Sequence, residues 1–193
     1  MKRSLVAVAL GTGLLLSSCG YNRLQAMDED VKAAWSEVDN QYQRRNDLVP
    51  NLVETVKGYA THERETLEGV IQARASATSV KLNVNDLSDP AAIKKFQDAQ
   101  AGVSSALGRL LVVAEQYPDL KANANFRDLQ AQLEGTENRI AVARKRYIDS
   151  IAGFNTMVRS FPTNLTAKYM LGLKVREAFT VADEIKQVPK VKF

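Results

Sequence analysis

The sequence predicts an all-α fold, an antiparallel bundle of long helices. Apolar residues recur at steps of three and four over long stretches, the period of one helical face. Proline is scarce, with 5 in 193 residues, while Ala, Leu, Gln, Glu, Lys and Arg are abundant and favour helix. No segment carries a convincing strand pattern, and long helices joined by short connections pack as antiparallel neighbours.

The first element is an export signal. Lys2 and Arg3 make a short positive start, and residues 5–16 (LVAVALGTGLLL) are apolar. That run fits the hydrophobic region of a signal peptide and falls short of the ~20 residues a spanning helix needs. Leu16-Ser17-Ser18-Cys19-Gly20 then resembles a bacterial lipobox. The expectation is a signal peptide over 1–18, cleaved before Cys19, whose thiol takes a diacylglycerol. Each buried CH₂ of such a lipid contributes roughly 0.8 kcal/mol, so two or three chains anchor firmly. The alternative is an uncleaved anchor with an incidental cysteine. Gly20 in place of Asp after the cysteine favours the outer membrane, on its periplasmic face, if the cell is Gram-negative.

From Leu24 one stripe runs Leu24, Met27, Val31, Ala34/Trp35, Val38, Tyr42, Arg45, Leu48, Leu52, Val56 and Tyr59, and weakens after Leu67, Val70 and Ile71. Residues 24–79 would span about 84 Å as one straight helix. Pro50 lacks an amide and its ring crowds the preceding turn, so the helix is expected to be kinked or broken near it. Residues 80–89 form a connector, with Ser88 or Asp89 as cap and Pro90 in the first turn of the next helix. That helix carries Ile93, Phe96, Ala99/Gln100, Val103, Ala106/Leu107, Leu110 and Tyr117, and Pro118 stops it. The third long stripe runs Phe126, Leu129, Leu133, Thr136/Glu137, Ile140, Ala143/Arg144, Tyr147, Ile151, Phe154, Val158 and Phe161. A short helix follows around Leu165–Leu171. The bundle domain is thus expected over 19–171, with an irregular tail over 172–193. Trp35, Leu52, Phe96, Leu110, Leu133, Ile140, Tyr147 and Phe154 are expected inside.

Short motifs in order carry a family resemblance. They include Ala34-Trp35-Ser36-Glu37-Val38-Asp39, Arg44-Arg45-Asn46-Asp47-Leu48-Val49-Pro50-Asn51-Leu52-Val53 and Gly58-Tyr59-Ala60-Thr61-His62-Glu63. Later come Val113-Ala114-Glu115-Gln116-Tyr117-Pro118-Asp119-Leu120, Glu137-Asn138-Arg139-Ile140 and Ser160-Phe161-Pro162. The chain resembles the LemA family from about Tyr21 to about Phe161. The resemblance implies a bundle of long antiparallel helices outside the cytoplasm, but no established reaction. Members usually carry an N-terminal transmembrane helix where this chain has a lipobox, and Ile148 stands where Asn is more usual.

The composition restricts the chemistry. The chain has one Cys and one His, which excludes an internal disulfide and a four-ligand Cys/His zinc site. His62-Glu63 fails the H-E-x-x-H pattern because Thr66 occupies the second His position. Glu63, Glu65 and Glu68 read as a solvated helix face. Of the net charge of +4, Lys2 and Arg3 contribute two units and leave with the signal peptide, so a nucleic-acid partner is not expected. Three groups remain as candidate sites. Arg44, Arg45, Asn46, Asp47 and Asn51 make a polar patch at the expected bend. Arg139, Arg144, Lys145 and Arg146 make a basic surface suited to ion pairs or anionic head groups. Leu24, Met27, Val31 and Trp35 form an arm that the shorter second helix would leave uncovered, a candidate contact face. The expected function is that of a membrane-anchored extracytoplasmic lipoprotein acting as an interaction or scaffold module. Its partners would be the membrane, through lipid on Cys19, and a protein or a second copy. No catalysis, metal or cofactor is expected. The alternatives are a carrier of a lipid or other apolar ligand and, with less support, a hydrolase.

Overall fold

A computed structural model describes the backbone of residues 2–179 and the side chains of residues 20–83 and 86–179. The side chains of residues 1–19, the Cys19 thiol among them, and the tail over 180–193 lie outside the described residues. The helices are α1 (Lys2–Lys57), α2 (Arg64–Ser79), α3 (Pro90–Ala114), α4 (Pro118–Ala122), α5 (Ala124–Arg159) and α6 (Thr163–Leu165). A 3-10 turn covers Val84–Ser88 and a π turn covers Thr166–Met170. No strand occurs among the described residues.

Two layers of core set the topology. One joins Val49, Leu52 and Val56 of α1 to Leu67 and Val70 of α2, Val103, Leu107 and Leu110 of α3, and Phe126 and Leu133 of α5. The other joins Val31, Trp35, Val38 and Tyr42 of α1 to Leu87, Ile93 and Phe96, then Ile140, Tyr147, Ile151 and Phe154 of α5. Helices α1 and α3 run from the second layer to the first, and α5 runs back from the first to the second. Helix α2 starts in the first layer and leads to Val80 and Leu82, which pack on the second. The result is an up-down-up-down four-helix bundle. All eight residues expected inside from the stripes are buried, none more than 5% exposed.

Local chemistry sets the helix starts. The Asp89 carboxylate accepts from the Ala91 amide at the head of α3 at 2.9 Å. The Asn123 side chain accepts from the Phe126 amide at the head of α5 at 3.0 Å. Both are N-caps, satisfying amides that have no partner within the helix.

Pro50 does not break α1. The helix continues through it to Lys57, with Pro50 on the exposed face. The break comes eight residues later, across 58–63. There Gly58 weakens the helix, and two side-chain bonds fix the corner to the residues that flank α4. Tyr117 donates to Glu63 at 3.1 Å, and Asn123 donates to the Tyr59 hydroxyl at 2.8 Å.

The arm at Leu24–Trp35 is covered. Leu24 and Val31 are fully buried and Trp35 is 3% exposed, because α5 is long enough to line α1 beyond the reach of α3. Gly153 allows the close approach: a Cβ there would lie 3.1 Å from Met27 Cε. The expected open contact face is therefore core.

Residues 172–179 have no regular structure but are packed down. Gly172 takes φ +61° and reverses the chain. Asn155 of α5 then clamps the returning backbone at Arg176, donating to its carbonyl and accepting from its amide, both at 2.8 Å. The Glu177 amide donates to the Leu87 carbonyl at 2.9 Å. Phe179 is buried against Trp35 and Tyr147, with centroids 6.0 Å and 5.3 Å away.

Candidate functional site

Arg45 sits on the apolar stripe of α1, and its side chain is 1% exposed. A guanidinium without partners at that depth would cost several kcal/mol. Here it is bonded on two sides. Nη2 donates to the Gln100 carbonyl at 3.1 Å and to Gln100 Oε1 at 2.7 Å. Nη1 donates to Ser104 Oγ at 2.8 Å and to Glu137 Oε1 at 3.1 Å. Its Cζ lies 5.1 Å from the Tyr42 ring centroid, within cation–π range. One side chain of α1 thus ties α3 to α5, at the level where the two core layers meet. Glu137 is 41% exposed, so the ion pair reaches solvent on one side only. Burial raises the Tyr42 phenol above its usual range, against the opposing charges of Arg144 and Arg45.

The polar patch expected around Pro50 is divided by the helix. Arg45 and Asn46 point inward, while Arg44, Asp47 and Asn51 are exposed. The Asn46 backbone carbonyl accepts from Arg74 of α2 at 2.8 Å. These residues do not converge on one surface.

A second buried charge holds the returning tail. Asp28 is 4% exposed. Arg176 Nη2 lies 2.8 Å from one of its oxygens and Lys32 Nζ 2.8 Å from the other. Burial alone would raise the Asp28 pKa; the bonds from Lys32 and Arg176 outweigh it and hold the carboxyl below its usual range.

The basic residues of α5 take different roles. Arg144 is half-buried with its guanidinium 4.9 Å from the Phe179 ring centroid. Lys145 pairs with Asp149 at 2.6 Å. Arg139 donates to Thr136 at 3.0 Å. Arg139 and Arg146, with Asn138, Val142, Ala143 and Glu37 of α1, line an open surface groove of about 300 Å³. Among the described residues no three His, Cys, Asp or Glu side chains are placed to hold a metal, and no helix is long and apolar enough to cross a membrane.

The Arg45 knot is foreshadowed in the sequence by position alone. Arg45, Gln100 and Glu137 each fall on an otherwise apolar stripe. Which of the polar residues on the three stripes meet depends on the register of the helices, which the tertiary structure sets. The Asp28–Arg176 pair has no such signal, because Arg176 lies in a segment without periodicity.

A model of the LemA family matches residues 34–193. Magnetosome protein MamQ 2 of Paramagnetospirillum magneticum is 29% identical over 175 residues, covering 82% of this chain and 64% of that protein. Magnetosome protein MamQ of Magnetospirillum gryphiswaldense is 29% identical over 188 residues, covering 89% of this chain and 68% of that protein. Protein LemA of Metamycoplasma hominis is 26% identical over 147 residues, covering 76% of this chain and 63% of that protein. The chain therefore spans less than two thirds of the length of the first and third of these relatives.

Proposed function

The chain belongs to the LemA family, and on that premise we propose that it is a membrane-tethered helical module outside the cytoplasm. In this reading it is held by lipid on Cys19 and works by contact with other proteins rather than by catalysis. One observation carries the reading. The helix that contains the apolar run and Cys19 is the helix that organises the bundle: α1 extends from Lys2 to Lys57 and contributes to both core layers. Cleavage before Cys19 would leave the lipid on the first residue of that helix, with no flexible linker between membrane and domain. The buried polar groups fit the same reading, since the bonds of Arg45 and Asp28 join helices and tail. The magnetosome in the names of the MamQ relatives belongs to those proteins and is not transferred.

The test has two arms. Cys19→Ala in a bacterial host should leave the chain uncleaved or outside the palmitate-labelled membrane fraction; unchanged processing with intact labelling refutes the tether. Crosslinking in intact cells followed by mass spectrometry should give a reproducible partner or a homo-oligomer. Monomer alone refutes action by contact.

A further inference from the structure

At the end of the bundle nearest Cys19 four large apolar side chains are exposed within ten residues. Phe161 is 80% exposed, Leu165 49%, Tyr169 73% and Met170 62%. They lie within ten residues, on α6, the π turn and the turn before them. Large apolar side chains left exposed close together in the chain mark a candidate contact surface. The segment is fixed in place: Thr166 and Ala167 within it are buried, and Thr163 packs directly on α1. A Cβ on Gly20 would lie 2.9 Å from Thr163 Cγ2. Gly20 immediately follows Cys19.

We propose that this edge is a second membrane contact, with Phe161, Leu165, Tyr169 and Met170 seated in the interfacial layer of the bilayer that holds the Cys19 lipid. The proposal rests on the tether reading. A bilayer is favoured as the occupant because Gly20, the residue next to Cys19, packs directly against Thr163 of this edge. A lipid on Cys19 would therefore bring the edge to the membrane surface. The side-chain chemistry matches. Aromatic rings gather at the headgroup level, and long cationic side chains lay their stems on apolar surface while their charge stays in water. Lys168 lies 5.3 Å from the Tyr169 ring centroid, and Arg159 is exposed at the end of α5, so positive charge rims the apolar cluster and suits anionic lipid. The lipid alone anchors the chain; the shallow protein edge adds a second point of contact. They also fix the long axis of the bundle relative to the membrane.

The test places a reporter at each end. Phe161→Trp, Tyr169→Trp and, on α3 at the opposite end of the bundle, Val112→Trp are purified as the lipidated full chain. They are reconstituted in vesicles of three parts phosphatidylcholine to one part phosphatidylglycerol, with and without brominated acyl chains. The parent chain, with Trp35 buried, supplies the background. All three positions are exposed, so the variants should fold, and their melting curves check this. The proposal expects emission at 161 and 169 to fall about twofold with brominated lipid, as for rings buried at the acyl boundary, and emission at 112 to stay unchanged. Chain that floats with the vesicles but shows no quenching at 161 and 169 overturns the second contact and leaves the tether intact. Equal quenching at all three positions also overturns it, because the edge is then not distinguished. Chain that does not float at all overturns both.

Discussion

Arg74 Nε donates a 2.8 Å hydrogen bond to the backbone carbonyl of Asn46, the carbonyl four residues before Pro50 that proline leaves without an amide. The side chain of α2 stands in for the missing backbone donor of α1. This explains how α1 passes through Pro50 unbroken, and it adds a cross-link between the two helices there.

Arg74→Ala should therefore destabilise the protein by about 1.5 kcal/mol, the scale of a charge-assisted bond to a partly buried acceptor. In a Pro50→Ala background the amide restored at position 50 can serve the same carbonyl. The cost of losing Arg74 should then shrink by at least ~0.5 kcal/mol, a coupling that a double-mutant cycle in urea can read. Additive costs would mean that Arg74 stabilises α2 by some other contact.

Arg45→Met should cost about 1–3 kcal/mol, because it leaves the buried Gln100 side-chain oxygen without a donor in the core. Adding Gln100→Leu should recover part of that loss, since an apolar replacement of a buried polar cluster is often neutral or better. Chemical denaturation measures both. A double variant no more stable than Arg45→Met would show that the knot is not the source of the cost.

Phe179→Ala should release the tail before it weakens the bundle. A Phe→Ala change in a rigid core costs about 3–5 kcal/mol, but a terminal segment can undock locally at lower cost. Amides over 173–177 should lose hydrogen-exchange protection while those of α5 keep theirs. Trp35 emission should shift to the red, since the Phe179 ring packs 6.0 Å from it. Unchanged exchange over 173–177 would mean that the Asn155 clamp suffices without Phe179.

The Asp28 pair makes the docking of the tail sensitive to acid. The carboxyl titrates below its usual value in the folded chain. Its contribution is therefore complete above the unfolded pKa of about 3.9 and is lost as pH falls through the lower folded value. Stability should drop on acidification below about pH 4, with the 173–177 amides exposed first. Asp28→Asn should flatten that part of the profile. A profile identical to the parent's would remove Asp28 from the account of acid sensitivity.

The sequence by itself determined the helices and most of the core. Periodicity is a local property, and burial of a stripe follows from it wherever a partner helix is present, as at Leu52, Phe96 and Tyr147. The caps at Asp89 and Asn123 are also local. Only the tertiary structure decided the fate of Pro50, because its missing bond is supplied by Arg74 from another helix. It also decided that the Leu24–Trp35 arm is covered. That depends on how far α5 extends along α1, and not on the length of α3. Arg45 is visible as a polar intruder on its stripe, but its partners lie 55 and 92 residues away. Phe179 and Arg176 follow no period at all; their burial comes from the reversal at Gly172 and the bonds of Asn155 and Asp28, contacts between residues distant in sequence that no local pattern encodes.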